Sequence, residues 1–351
     1  VARIEKNKLI MNSKKVTIGI ILYKDKKYIK HCLNSLIDQD YNNIEFLFRD
    51  QSPNGEVYEY IKQELPEIYE KITIFKGGNL MHSGGHNFLI SKMAGNYYIC
   101  ASNDMLYPKN FISGVIQELE KTENLKYGTA TCKSMYWNFE KIKDNNLEKS
   151  KTNILDSCGI SLTKAHHFFD LGQGEEDKGQ YNNLKEIFGA SGALTIFRKK
   201  ALENIKYKNE YYDELLHYKN DVDLAYRMQW SGEKCLFIPN IKVYHDRQVG
   251  NKEKGFFGFL RNRKSQSKFA KSNSYFGHSM VLKKNFSKNF SNTIKVKTLI
   301  YNIKRFMFSL LFEPHILKEH LAIRRISDII EFKTEKINKI INAKEIEKFM
   351  Q

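Results

Sequence analysis

Residues 16–23, VTIGIILY, form an unbroken apolar run rich in β-branched side chains. Such a run suits a strand buried on both faces, as the strands of a parallel sheet are. The period then changes. Ile29, Cys32, Leu33 and Leu36 recur at helical spacing, Asp38-Gln39-Asp40 breaks the pattern, and 44–48 resumes as a strand, so this stretch reads as a βαβ unit. The alternation continues with a helix over 56–65, a strand over 72–75, a Gly77-Gly78 turn, a helix over 85–93 and a strand over 97–101. Regular alternation of this kind predicts an α/β fold, a doubly wound and mostly parallel sheet. Ligands of such sheets bind beyond the carboxyl ends of the strands, where the loops converge. Asp50-Gln51-Ser52 and Ser102-Asn103-Asp104 fall at two such ends.

Past about residue 125 the pattern loosens. A strand is expected near 128–133, an exposed loop over 141–152, and the acidic, glycine-rich stretch 172–179 reads either as an ordered substrate loop or as a surface excursion. Gly189-Ala190-Ser191-Gly192-Ala193, before a strand over 194–197, permits close backbone approach. A helix over 221–230 and strands over 234–238 and 242–245 follow. Beyond 250 the chain turns basic and aromatic, with an amphipathic helix over 298–311 and helical spacing again over 324–350. The organisation is therefore an N-terminal extension (1–15), an α/β domain (16–250, with halves 16–125 and 126–250) and a basic, mainly helical C-terminal region (251–351).

Charge is distributed as unevenly as pattern. Of the net +17, most lies in 242–312, where sixteen Lys and Arg face only Asp246 and Glu253; such an excess attracts polyanions or an anionic membrane surface. The five cysteines, at 32, 100, 132, 158 and 235, form no C-x-x-C pair, which argues against a zinc knuckle or a disulfide framework and for a reducing cytosol. No run reaches the ~18 apolar residues of a spanning helix. The first fifteen residues lack a secretory apolar core, with Met11 a candidate natural start, so a cytoplasmic protein, peripheral at the inner face of the cell membrane, is expected.

Single residues are ambiguous. Asp50 with Ser52 can hold a base or ribose, or simply close a turn. Asp104 follows a buried strand and offers a hard oxygen for a divalent ion, or caps the next helix. Asp221 and Asp223 cannot share a helical face, so they have different tasks. Asp221, at the lip of the crevice, can act as a general base, and Asp223 has Arg227 at i+4 for an ion pair; both are also ordinary helix-start carboxylates. His245 ends a strand and can ligate the same ion as Asp104. His82, His86, His166, His167 and His217 show no spacing that supports a metal role.

Taken in order, these pieces over 16–250 resemble glycosyltransferase family 2, the inverting group with a GT-A (Rossmann-like) fold. The most specific match is Tyr212-Asp213-Glu214, then Tyr218, Asn220-Asp221-Val222-Asp223-Leu224, Arg227, Gly232, Pro239 and His245. The resemblance implies that Asp221 is the catalytic base and that Asp213, Glu214, Asp223, Arg227, Ser191 and Gly192 support it or the acceptor. It implies that Asp50, Ser52, Asn87, Asn103 and Asp104 bind the donor, and that Asp104 and His245 hold Mn²⁺ or Mg²⁺. Ser102 and Asn220 stand where the family carries acids. Asp170 to Gly174 and the Ser191-Gly192 segment resemble bacterial surface-polysaccharide, rhamnosyltransferase-like members. The implied reaction moves a sugar from a UDP- or dTDP-linked donor to a hydroxyl of a glycan or lipid-diphosphate-linked acceptor. A non-catalytic GT-A-like scaffold and a basic nucleic-acid-binding protein are the rival readings; no nucleic-acid motif is present.

Overall fold

The N-terminal half of the α/β domain is built as its apolar runs require. In the computed structural model, which describes residues 14–142, 146–247 and 263–351 with Gly258 and Arg261, β1 (Val16–Leu22), β2 (Ile44–Asp50), β3 (Thr73–Lys76) and β4 (Tyr97–Ala101) lie in the order β4-β1-β2-β3, all parallel. Met11, the rest of 1–13 and most of 248–262 lie outside the described residues. Helices α1 (Ile29–Ile37), α2 (Glu56–Glu64), α3 (Met81–Lys92) and α4 (Phe111–Leu119) cover the two faces. On one face Val16, Ile18, Ile20 and Leu22 pack with Cys32, Leu36 and Phe111; on the other Leu47 and Tyr98 pack with Leu89 and Ile90. Gly19 lets β1 lie flat on Tyr98, whose hydroxyl would collide with any Cβ there.

Beyond β4 the sheet becomes mixed. β11 (Leu194–Arg198) runs antiparallel between β4 and β6 (Tyr127–Trp137), and β12 (Lys234–His245) runs parallel to β6. The edge is completed by β10 (Glu186–Ile187) and β5 (Met105–Leu106) on β12 and β7 (Lys151–Ser157) on β6. The expected strands over 234–238 and 242–245 are one strand, β12, whose register breaks between Ile238 and Lys242. Pro239 sits in that break and lacks the N–H a regular ladder needs. The stretch read as a loop over 141–152 already holds a tight turn at Leu147–Ser150 and the start of β7. The acidic stretch 172–179 lies along the sheet, because Asp177 pairs with Lys133 at 2.9 Å and Lys242 at 2.8 Å.

The C-terminal helices α7 (Lys268–Asn285), α8 (Asn292–Phe312), α9 (Leu317–Arg325), α10 (Ser327–Glu335) and α11 (Ala343–Glu347) fold back onto the sheet-bearing part. Met280, Val281, Phe290, Ile294 and Ile346 share one apolar core with Val222, Tyr226 and Trp230 of α6 (Asn220–Trp230) and with Phe168. Phe168 belongs to a small hairpin, β8 (Ile160–Leu162) and β9 (Phe168–Asp170). A further helix, α5 (Lys199–Ile205), follows β11 directly. No helix among the described residues is long and apolar enough to cross a membrane.

Candidate active site

Asp221 is placed by backbone geometry. Lys219 adopts a left-handed conformation (φ 66°) that turns the chain into α6, and Asp221 occupies the first turn, where the helix dipole favours a carboxylate. Its Oδ1 accepts from Val222 N at 2.8 Å and its Oδ2 from Gly192 N at 3.2 Å. Asn220, where the resemblance expects an acid, anchors the turn instead: its amide donates to His82 Nδ1 at 3.0 Å and to Ser83 Oγ at 3.2 Å. The next residue to Gly192 reaches β4, because Ser102 N donates to Ala193 O at 3.0 Å. The small residues of 189–193 therefore join the Asp221 turn to the Ser102-Asn103-Asp104 turn. Ser191 is buried, and its carbonyl accepts from Thr195 Oγ1 at 3.0 Å. Asn103 is half-buried and makes no side-chain hydrogen bond among the described residues.

Asp104 and His245 meet because β5 pairs with the end of β12, setting Met105 opposite His245. His245 Nε2 lies 3.4 Å from Asp104 Oδ1, and its Nδ1 lies 2.8 Å from Asp156 Oδ2. Ser134 Oγ donates to the same Asp156 oxygen at 3.1 Å, and Arg247 stands 3.5 Å from the other while pairing with Asp170 at 2.7 Å. Burial disfavours the His245 imidazolium, but the charges of Asp104 and Asp156, with the hydrogen bond to Asp156, prevail and raise its pKa to about 9. Burial likewise opposes the Asp156 charge, yet His245 and Arg247 hold its carboxyl below the usual range. An ionised Asp156 accepts the Nδ1–H, which leaves Nε2 facing Asp104 with either a proton or a lone pair.

The donor set fits a divalent cation. Asp104 Oδ1 is buried and accepts no hydrogen bond among the described residues. Two adjacent ligands about 2.1 Å from one ion stand roughly 3 Å apart, close to the 3.4 Å gap. Asp156 is in place as the carboxylate behind a ligating histidine. It gives no sequence signal, being one acid on a polar edge strand.

The other expected site residues divide between the end of β2 and the scaffold around α3. Asp50 Oδ1 accepts from Ser52 N at 2.9 Å and Oδ2 from Tyr58 N at 2.8 Å, so it caps α2 while ending β2; Ser52 Oγ holds Lys24 N at 2.8 Å. Asn87 accepts from Tyr211 N and Tyr212 N at 3.0 and 2.8 Å, and donates to Tyr212 O and Glu214 Oε1, both at 2.9 Å. It clamps the 211–214 segment to α3. His82 and His86, spaced i, i+4 on α3, converge with Cys100 of β4, their ligand atoms all within 4.8 Å. Burial keeps both imidazoles neutral and raises the thiol to about 12. The spacing did carry a signal, one that only Cys100 completes.

Asp223 forms the expected pair with Arg227, at 3.0 Å, inside a larger buried cluster. Lys284 of α7 bridges Asp223 at 2.6 Å and Asp213; Lys333 of α10 binds Asp213 at 2.7 Å and Glu210 at 2.9 Å. The Lys284 side chain is wholly buried, as are those of Asp213 and Asp223. Three cations thus balance three carboxylates, and they tie the C-terminal helices to the segment that carries Asp221.

The model of "Glycosyl transferase family 2" matches residues 17–206. "Glycosyltransferase GlyA" of Streptococcus pneumoniae serotype 4 is 25% identical over 190 residues, 46% of this chain and 27% of that protein, so the chain spans about a quarter of that relative's length. Two solved structures share the fold. TarS 1-349 of S. aureus in complex with UDP-GlcNAc has a TM-score of 0.52 at 12% identity over 92% of this chain and 88% of its own. GalNAc-T7 with UDP, GalNAc and Mn²⁺ has a TM-score of 0.52 at 12% identity over 82% of this chain and 54% of its own. The family match covers more than half of the 351 residues and runs through β1, β2, β4 and the Asp104 turn; the chain belongs to glycosyl transferase family 2.

Proposed function

We propose that this chain moves a sugar from a nucleoside-diphosphate sugar, UDP- or dTDP-linked, to a hydroxyl of a glycan or lipid-linked acceptor, with inversion and with Asp221 as general base. The observation that carries this reading is the Asp221 carboxylate, seated on Gly192 N–H at 3.2 Å beside the strand end that leads to Asp104. In the reaction Asp221 takes the acceptor hydroxyl proton and the acceptor oxygen bonds to the anomeric carbon. The bond from that carbon to the diphosphate oxygen breaks, and nucleoside diphosphate leaves with the electron pair. Asp104 and His245 would hold Mn²⁺ or Mg²⁺, which when bound offsets diphosphate charge. Asp156 fixes the His245 ring, and Asp50 and Ser52 shape the nucleotide side of the crevice. The basic region 242–312 suits a peripheral position at an anionic membrane surface in surface-polysaccharide synthesis.

A panel of UDP-, dTDP- and GDP-sugars, with and without Mn²⁺, tests this by thermal shift and release of nucleoside diphosphate. One donor should stabilise the protein and be turned over when metal is present. Absence of any donor response would remove the proposal.

A further inference from the structure

Outside the site just described, the described residues line a half-open cavity of about 530 Å³ between α7, α8, the β8–β9 hairpin and the turn before α6. That volume lies within the range of small-molecule sites. Its lining contains Lys219, Arg263, Lys304 and Arg305 and no Asp or Glu. Arg263 is matched by Glu313, which it holds at 2.8 Å. The other three cations have no carboxylate within ion-pair distance among the described residues. Arg305 is the most constrained of them. Its guanidinium lies 4.5 Å over the Tyr275 ring, and two of its five N–H donors reach Asn302 Oδ1 and Tyr275 O at 3.2 and 3.3 Å. Burial lowers its pKa, and Arg263 adds to the fall against the Tyr301 and Tyr275 rings that raise it. His278 adds a buried Nε2 with no hydrogen-bond partner.

Two further observations say what an occupant would be attached to. First, the cavity is lined by a residue of the turn that carries the proposed base. Lys219 lies two residues from Asp221, a Cα separation of at most about 7 Å, and α7 is seated on this turn. A Cβ on Gly277 would stand 2.2 Å from Tyr218 O. Second, α8 is two-faced. Tyr301, Lys304, Arg305 and Phe308 line the cavity, whereas Val296, Leu299, Ile303, Phe306 and Leu310 are exposed in an apolar stripe, Leu299 at 61%.

We infer that this cavity binds a phosphate group of the acceptor, a phosphomonoester, phosphodiester or diphosphate, and so presents the acceptor hydroxyl to Asp221. The inference rests on the proposed transfer reaction for its purpose, but phosphate binding itself requires no turnover. Arg305 supplies forked donors and Lys219 and Lys304 point charges, the complement of a tetrahedral anion. The phosphate comes either from a lipid-linked acceptor, with the apolar stripe of α8 resting in the bilayer interface, or from a soluble phosphorylated glycan.

The probe is inorganic pyrophosphate in EDTA, which silences a metal-dependent donor site, followed by calorimetry on the full chain. Wild type should bind, more weakly as salt rises. Arg305→Gln should lose at least about tenfold in affinity, and Lys304→Gln, at an exposed position, about threefold. Asp221→Asn should bind as wild type does. Equal binding by wild type and both pocket variants, or no binding by wild type, overturns the inference, whatever the fate of the transferase reading. A second arm separates the sources. Flotation with phosphatidylglycerol vesicles that Ile303→Asp abolishes, with pyrophosphate binding intact, assigns the phosphate to a lipid; pyrophosphate binding without flotation assigns it to a soluble acceptor.

Discussion

Replacing Lys284 by Met removes a side chain that touches both Asp213 and Asp223. In the native protein Lys284 Nζ lies 2.6 Å from Asp223 and also binds Asp213, with all three side chains wholly buried. The methionine fills much of the same volume, so the loss is electrostatic: two buried carboxylates share one fewer cation, leaving Arg227 on Asp223 and Lys333 on Asp213. Removing one partner from a buried ion pair costs about 3–5 kcal/mol. At an unfolding entropy of roughly 0.7 kcal/mol/K for this length, that lowers Tm by about 4–7 °C. Calorimetry at pH 7 reads the shift directly. The pH profile supplies a second signature. Burial opposes the Asp213 charge, but Lys284 and Lys333 hold its carboxyl well below the usual range. A group with a depressed folded pKa stabilises above its unfolded value near 4 and loses that contribution as pH falls through the folded value. Acid should therefore destabilise wild type below about pH 4, and the variant less steeply. A Tm change under about 1 °C with an unaltered acid limb would refute a structural role for the cluster.

Three substitutions probe the neighbourhood of Asp221 and His245. Asp156→Asn removes the charge behind His245, and Mn²⁺ affinity measured by calorimetry should fall about 10- to 100-fold; unchanged affinity would exclude His245 as a ligand oriented by Asp156. Gly189→Ala places a Cβ 2.2 Å from that of Ala225, and urea unfolding should show a loss of about 1–3 kcal/mol. Gly192→Ala meets Asp221 at an ordinary 3.5 Å, so its stability should change by less than about 1 kcal/mol. Equal destabilisation by the two glycine variants would contradict the packing described for 189–193.

How far the sequence could be read depended on how each part is stabilised. The N-terminal half is legible because β1 and β4 are buried on both faces and so appear as apolar runs, while α1 shows its buried Ile29, Cys32, Leu33 and Leu36 at helical spacing. The other half adds polar burial to its apolar core, which blurs the period. β6 buries Thr129, Thr131 and Lys133, the last matched by Asp177 more than forty residues away. Lys284 and Lys333 look like part of a solvated basic surface until the fold brings them to Asp213 and Asp223. The spacing from Asp213 to His245 made the Asp221 turn readable. Asp156 and Cys100 entered only through strand pairing, and the cavity beside α8 only through helix packing.

Asp221→Asn tests the central claim most directly, because amide replaces carboxylate at nearly constant shape and its one oxygen can keep the hydrogen bond from Gly192 N, with only that from Val222 N given up. With the responding donor, Mn²⁺ and an acceptor, transfer should fall by about 10²- to 10⁴-fold, the range for loss of a general base, while donor affinity by calorimetry stays within about twofold of wild type. Transfer at the wild-type rate with the donor bound would contradict the assignment of Asp221 as the base.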